Sequence, residues 1–242
     1  MDYKILPVGD SALTIVFGDT IDPGTSALVG AARKYLTRKR IKGVVEYVQT
    51  YATLMVHYQP VVIGYDELKA RIGKALDGME TNVEGTEKRT IVIPVCYGGE
   101  FGPDLETVSE HAHLTPEEVI KRHSAPDYLI YMLGFMPGFV YLGGMDQSIA
   151  TPRLSDPRER IEKGSVGIAA AQTGIYPLVS PGGWQIIGRT PLRLYDPDRK
   201  KPILYEAGEY IRFVPITPEE YEKTLQKVEN GTYKYQWIRE GQ

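Results

Sequence analysis

Apolar and polar positions recur along this chain with two different periods, and the changes between them mark out its elements. Residues 3–6 and 12–17 are short apolar runs of strand length. Over 23–36 the spacing becomes three and four, placing Ala27, Leu28, Ala31, Tyr35 and Leu36 on one face of a predicted helix. Alternation returns over 43–50 and 53–58, which predicts paired strands, and 65–76 again has helical spacing. The order β-β-α-β-β-α predicts a small open sheet with its helices packed on one face. Residues 77–90 (DGMETNVEGTEKRT) hold almost no large apolar side chain and include two glycines, the pattern of a connection. We therefore expect a small α+β domain at 1–80, a linker at 81–90 and a second domain at 91–242.

The second domain has a different rhythm. A strand is predicted over 90–97, followed by two short helices. Thr115-Pro116-Glu117-Glu118 reads as a capping box with proline at the first helical position, opening a helix that runs to 122. Strands are predicted over 127–133, 166–170, 184–188, 192–195 and 210–214. Thr217-Pro218-Glu219-Glu220 repeats the box and opens a last helix ending near Asn230-Gly231. Many short strands separated by turns predict a mainly β domain closed into a barrel.

Composition changes this picture at one place. Between Gly134 and Pro191 lie ten glycines and six prolines, mixed with aromatic residues. Glycine permits close backbone approach and proline fixes φ, so such a stretch suits loops held in one shape around a pocket. Taken singly, most of these glycines also read as tight turns between strands.

Charge and cysteine content narrow the class. A net charge of −3 argues against a nucleic-acid binder, which concentrates basic residues on one face. The basic cluster Arg33-Lys34 with Arg38-Lys39-Arg40 reads as the solvated end of the first helix. One cysteine, Cys96, forms no internal disulfide and reads as a small core residue. The opening residues lack a basic-then-apolar leader, and no apolar run reaches membrane-spanning length, so a cytoplasmic location without membrane contact is expected.

The candidate chemistry is that of a polar pocket rather than a nucleophile. The stretch 134–191 has no histidine and no cysteine, and the four histidines (His57, His111, His113, His123) lie elsewhere. They read as solvent-facing or helix-terminal, and His111 and His113, two apart, point to different faces of a helix, so no metal site is expected. There is no phosphate-binding Gly-x4-Gly-Lys-Ser/Thr loop. Arg153 and Arg189 are candidate anion handles, or else surface ion pairs. Gln172 and Thr173, ahead of Gly174, offer an amide and a hydroxyl, or else close a turn. Gln185 beside Trp184 is a further donor, and the N–H groups at Gly182 and Gly183 are candidate oxyanion donors. Phe135, Phe139, Tyr141 and Trp184 can wall a pocket or fill a core.

As an ordered set, the motifs resemble a known family. They run from Pro7-Val8-Gly9-Asp10-Ser11-Ala12-Leu13 through Ile93-Pro94-Val95-Cys96-Tyr97-Gly98-Gly99-Glu100-Phe101-Gly102-Pro103-Asp104-Leu105. They continue through Gly134-Phe135-Met136-Pro137-Gly138-Phe139 and Gln172-Thr173-Gly174-Ile175-Tyr176-Pro177 to Pro181-Gly182-Gly183-Trp184-Gln185-Ile186-Ile187-Gly188-Arg189-Thr190-Pro191. The chain is similar to the kinase A inhibitor family, which is also the family of 5-oxoprolinase B subunits and of allophanate hydrolase subunit 1-like proteins. Within it the resemblance is strongest to the inhibitors of spore-forming bacilli. It covers the chain to about Thr217 and implies a cyclophilin-like barrel. It implies a role as the B subunit of a 5-oxoprolinase that, with subunits A and C, opens 5-oxoproline to L-glutamate. ATP is then a co-substrate, bound by or shared with a partner, and the chain is expected to be inactive alone. Related domains act on carboxyl groups carried by biotin, but nothing here resembles a biotin-attachment domain. On this reading Arg189, Gln172 and Arg153 are the catalytic candidates. Thr173, Gly174, Gly182, Gly183, Trp184, Gln185, Phe135 and Phe139 contact substrate. The resemblance also implies an alternative, inhibition of a sporulation histidine kinase by docking on its dimerisation stalk, with Met136, Phe139, Tyr176 and Pro177 as anchors.

Overall fold

The computed structural model describes residues 2–79 and 88–240. The chain splits into two compact units, Met1–Thr86 and Glu87–Gln242. Of the linker expected over 81–90, residues up to 87 lie outside the described ones, and Lys88, Arg89 and Thr90 already belong to the first strand of the second unit.

In the first unit, β1 (Lys4–Val8), β2 (Ala12–Val16), α1 (Pro23–Lys39), β3 (Val44–Gln49), β4 (Thr53–Tyr58) and α2 (Tyr65–Asp77) follow in the expected order. The strands form an antiparallel sheet ordered β1-β2-β4-β3. Strand alternation turns Leu13 and Ile15 of β2, with Leu54 and Val56 of β4, to one face. Val29, Ala32 and Leu36 of α1 and Leu68, Ile72 and Leu76 of α2 seal that face. Asp22 caps α1, its carboxylate accepting from the N–H groups of Gly24 (2.8 Å) and Thr25 (3.1 Å). The buried stripe of α1 is Ser26, Val29, Ala32 and Leu36, which shares Leu36 alone with the expected face. Ala27 is exposed, while Leu28 and Tyr35 pack at the margin.

The second unit contains β5 (Lys88–Tyr97), α3 (Leu105–Ala112), α4 (Pro116–Ser124), β6 (Asp127–Leu133), β7 (Val140–Gly143), β8 (Arg158–Ile161), β9 (Ser165–Ala169), β10 (Gln172–Ile175), β11 (Ser180–Gly182), β12 (Gln185–Arg189), β13 (Tyr210–Pro215), α5 (Pro218–Glu229) and β14 (Trp237–Glu240). Seven strands run β12-β9-β10-β7-β6-β13-β5 and close into a barrel where β5 meets β12 again, Tyr97 opposite Gly188 and Cys96 opposite Arg189. Gly188 permits this closure: a Cβ there would lie 2.7 Å from Val95 and 2.8 Å from the Cys96 carbonyl. β5 and β13 run parallel, and the other pairs are antiparallel. Inside, Ile91, Ile93, Ile130, Val140, Val166, Ile168, Ile175, Ile187 and Phe213 form the core. β14 adds to the first half of β5. A charge cluster supports it: Asp127 accepts from Arg212 (2.6 and 2.7 Å) and Lys88 (2.7 Å), and Lys88 also reaches Glu240 at 3.0 Å.

The expected mainly β barrel is present, with corrections. No strand forms over 192–195, where Tyr195 makes a single bridge to Ile203. β7, β8, β10, β11 and β14, each three to four residues long, are additional. The box at Thr217 is complete, but that at Thr115 is half made. Thr115 accepts from the Glu118 N–H (3.3 Å) while the Glu118 carboxylate turns to Arg122 (3.1 Å). No helix among the described residues is long and apolar enough to cross a membrane.

Candidate functional site

A second apolar cluster lies outside the barrel core, built by the glycine-rich stretch. Phe139 is its hub, meeting Phe135, Tyr141, Tyr176 and Trp184 edge to face at 5.3–5.5 Å. Ile161, Ala169 and Ile186 complete it, with Met136 packed against it. Gly182 makes room for the phenol: a Cβ there would lie 2.5 Å from the Tyr176 oxygen and 2.8 Å from Ile161. The cluster is therefore a rigid platform, and Phe139, Tyr176 and Trp184 are all buried in it.

At its edge, apolar packing gives way to charge. Burial pushes the Tyr176 phenol up to about 12, and Arg153, the Trp184 backbone N–H and Arg158 act in the opposite direction. The hydroxyl therefore stays protonated at neutral pH, with two guanidinium groups bearing on it. Arg153 is exposed, and no carboxylate among the described residues lies within ion-pair reach of it. The chain on either side of it is pinned, since Gln185 Nε2 donates to the Pro152 carbonyl (3.0 Å) and the Leu154 N–H to the Gly183 carbonyl (2.7 Å). Arg158 is held by Asp104, at 2.6 Å, and the same buried carboxylate accepts the Ile186 N–H at 2.6 Å. Arg158 Nη1 and Gln185 Oε1 are shielded and have no protein partner. Two guanidiniums on a fixed base of buried phenol, indole and amide side chains are equipped to receive a small anion.

The structure brings Arg153, Tyr176, Gly182, Gly183, Trp184 and Gln185 to this edge. Gln172 stands opposite Ala169, a member of the same cluster, and Gly174 packs against the Trp184 ring. Two candidates go elsewhere. Arg189 sits at the far end of β12, about 13 Å along the strand from Gln185 at 3.3 Å per residue, beside the Tyr221 phenol of α5. Thr173 is fully buried and points into the barrel. Of the four kinase-docking anchors, Phe139, Tyr176 and Pro177 are buried and Met136 is half-buried, so together they present no exposed apolar patch; Phe135 beside them is 69% exposed.

Sequence reasoning misses His123. Far from facing solvent, this last-turn residue of α4 is completely buried, stacked on Phe213 at 4.7 Å. Thr173 donates its single proton to the Gly167 carbonyl (3.0 Å), so it accepts from His123 Nε2 (2.8 Å). Nδ1 is then the acceptor for the Tyr97 hydroxyl (2.8 Å). Burial lowers the His123 pKa to about 3, so the ring is neutral. The relay ends on a carbonyl and bonds every member, which is the signature of a structural network. Asp104, also missed, carries only the signal of a polar residue at a helix start.

Comparison with known proteins places this architecture. The family described as carboxyltransferase domain, subdomain C and D, matches residues 3–205, and so defines the class. The crystal structure of TTHA0988 shares the fold and 32% identity (TM-score 0.76), covering 86% of this chain and 41% of that one. The chain belongs to the family of 5-oxoprolinase B subunits: it is 43% identical over 229 residues to the 5-oxoprolinase B subunit of Bacillus subtilis (strain 168), spanning 90% of this chain and 95% of that protein. The Kluyveromyces lactis urea carboxylase shares the fold alone, at TM-score 0.78 and 17% identity, covering 98% of this chain and 24% of that one. The chain thus spans nearly the whole of its curated relative but less than half of either solved structure.

Proposed function

We propose that this chain is the B subunit of an ATP-dependent 5-oxoprolinase, working with A- and C-type subunits to open 5-oxoproline to L-glutamate. The observation that carries the reading is the end-to-end match to a 5-oxoprolinase B subunit, over 95% of that protein's length. The site is compatible with it. Arg153, exposed and without a carboxylate partner among the described residues, takes the substrate carboxylate, Arg158 adds to the positive field, and the buried Tyr176, Trp184 and Gln185 form the base that holds both in place. A lactam is a resonance-stabilised amide that water attacks slowly. Transfer of the γ-phosphoryl group of ATP to its oxygen, releasing ADP, makes the carbon a better electrophile; one water then adds to that carbon and the ring C–N bond breaks to leave γ-glutamyl phosphate, from which a second water releases phosphate and glutamate. Among the described residues the site offers two cations, and its one buried carboxylate, Asp104, is committed to Arg158 and the Ile186 N–H, so this chain binds and orients while partners supply the attacking group and the ATP site. It is therefore inactive alone. The barrel is of the cyclophilin-like type on this reading, and the complex works in the cytoplasm.

The test is glutamate release from 5-oxoproline and ATP, with the chain alone, with A- and C-type partners, and with the partners lacking it. Release only in the full mixture is expected. Undiminished release by the partners alone would rule the reading out.

A further inference from the structure

A separate cleft of about 180 Å³ opens between the segment that follows β12 and the chain beyond α5. Arg193, Asp196 and Arg199 form one wall, and Tyr233 and Tyr235 the other. The Arg199 side chain is only 23% exposed, yet its nearest carboxylate oxygen, on Asp196, is 3.8 Å away. Its Nη2 is fixed by the Arg193 carbonyl (2.9 Å) and the Tyr235 hydroxyl (3.1 Å), while Nη1 has no protein partner. The guanidinium also lies over the Tyr235 ring, 5.2 Å from its centre. Arg193 shares the same Asp196 carboxylate at 3.4 Å. Two cations thus divide one anion at long range, leaving a net positive charge in a recess. A largely desolvated cation without close compensation is costly, and an entering anion relieves that cost. Burial raises both phenols, which therefore stay protonated, and Tyr235 donates to the Arg193 carbonyl at 3.3 Å.

We propose that this cleft is a binding site for a small oxyanion, a carboxylate or a phosphate, held by Arg199 and Arg193 and bordered by the Tyr233 and Tyr235 rings. The inference does not rest on the oxoprolinase reading, since none of these residues belongs to the Arg153–Tyr176 edge. With Nη2 engaged, Arg199 donates through Nη1 to one oxygen of a planar or tetrahedral group, and Arg193 reaches a second. Asp196 limits the net charge and so disfavours larger polyanions.

The test is calorimetric titration of the whole chain with inorganic phosphate and, separately, acetate, at low ionic strength. Wild type, Arg199→Gln and, as a control, Arg71→Gln, an exposed arginine paired with Glu67, are compared. Binding of phosphate alone or of acetate alone identifies the source of the oxyanion. We expect Arg199→Gln to weaken binding about tenfold or more, the loss typical of a hydrogen bond to a charged group, and Arg71→Gln to leave it within about twofold. If Arg199→Gln does not fold, Arg193→Gln, whose side chain is 49% exposed, reads the same loss. The proposal is overturned if neither probe binds, if the Arg199 and Arg193 variants bind like wild type, or if Arg71→Gln weakens binding as much as Arg199→Gln.

Discussion

Replacing Asp104 with alanine is expected to destabilise the second unit by about 3 kcal/mol, the largest single effect we foresee. The residue stands at the start of α3 but does not cap it, because its carboxylate reaches across to accept from Arg158 and from the Ile186 N–H, both at 2.6 Å. Its own N–H returns the contact by donating to the Ile186 carbonyl at 2.9 Å. Alanine removes the counter-charge of Arg158 and orphans a buried N–H in β12. The Arg158 side chain remains one-third exposed, so water recovers part of the loss. Asp104→Asn keeps an acceptor for Ile186 and is expected to cost about half as much. Urea unfolding read by circular dichroism checks both, and an Asp104→Ala loss under about 1 kcal/mol would show that the contact contributes little. The consequence for the site is positional. Asp104 holds β12 beside Trp184 and Gln185 and aims Arg158 at the Tyr176 phenol.

Acidification is expected to weaken the same unit through His123. Above pH 6.5 the imidazole is neutral in both the folded and the unfolded chain, so it contributes no pH dependence. Between 6.5 and about 3 the unfolded chain takes a proton that the buried ring refuses. The unfolded state then binds more protons, and stability falls as pH falls. The loss from this group is about 2 kcal/mol between pH 7 and pH 5, and about 3 kcal/mol by pH 4. His123→Gln, which does not titrate, is expected to flatten the slope between pH 7 and 5, above the range where carboxylates protonate. An unchanged slope in that variant would place the acid sensitivity elsewhere.

How much of this is legible in the sequence depends on the range of the contacts involved. The helix starts at Pro23, Pro116 and Pro218 follow from adjacent residues and are readable. So is the sheet-and-helix order of the first unit, whose strands carry clean alternation. Barrel closure is not, because Cys96 and Arg189 pair across most of the unit and nothing local marks the partner. The Asp104–Ile186 contact spans 82 residues and is equally silent. At the site, the glycine-rich stretch points to the right part of the chain but cannot sort its faces. β10 is too short to stand out as a strand, so its alternation stays hidden: Gln172 faces the aromatic cluster, whereas Thr173 faces inward. His123 misleads because a helix-terminal histidine next to Lys121 and Arg122 resembles a solvated one. Only the packing of Tyr97, Tyr128 and Phe213 around it shows otherwise.

We propose the substrate edge at Arg153 and Tyr176 rather than at the far end of β12, and everything proposed for the reaction depends on that placement. The most direct measurement is the initial rate of ATP-dependent glutamate formation by the full mixture, with Arg153→Ala and Arg189→Ala compared against wild type. Arg153→Ala is expected to lower the rate about 10- to 100-fold, the worth of a charge-assisted contact to substrate, while Arg189→Ala stays within about threefold. The reverse order, in variants shown to be folded, would contradict the placement and return the site to Arg189.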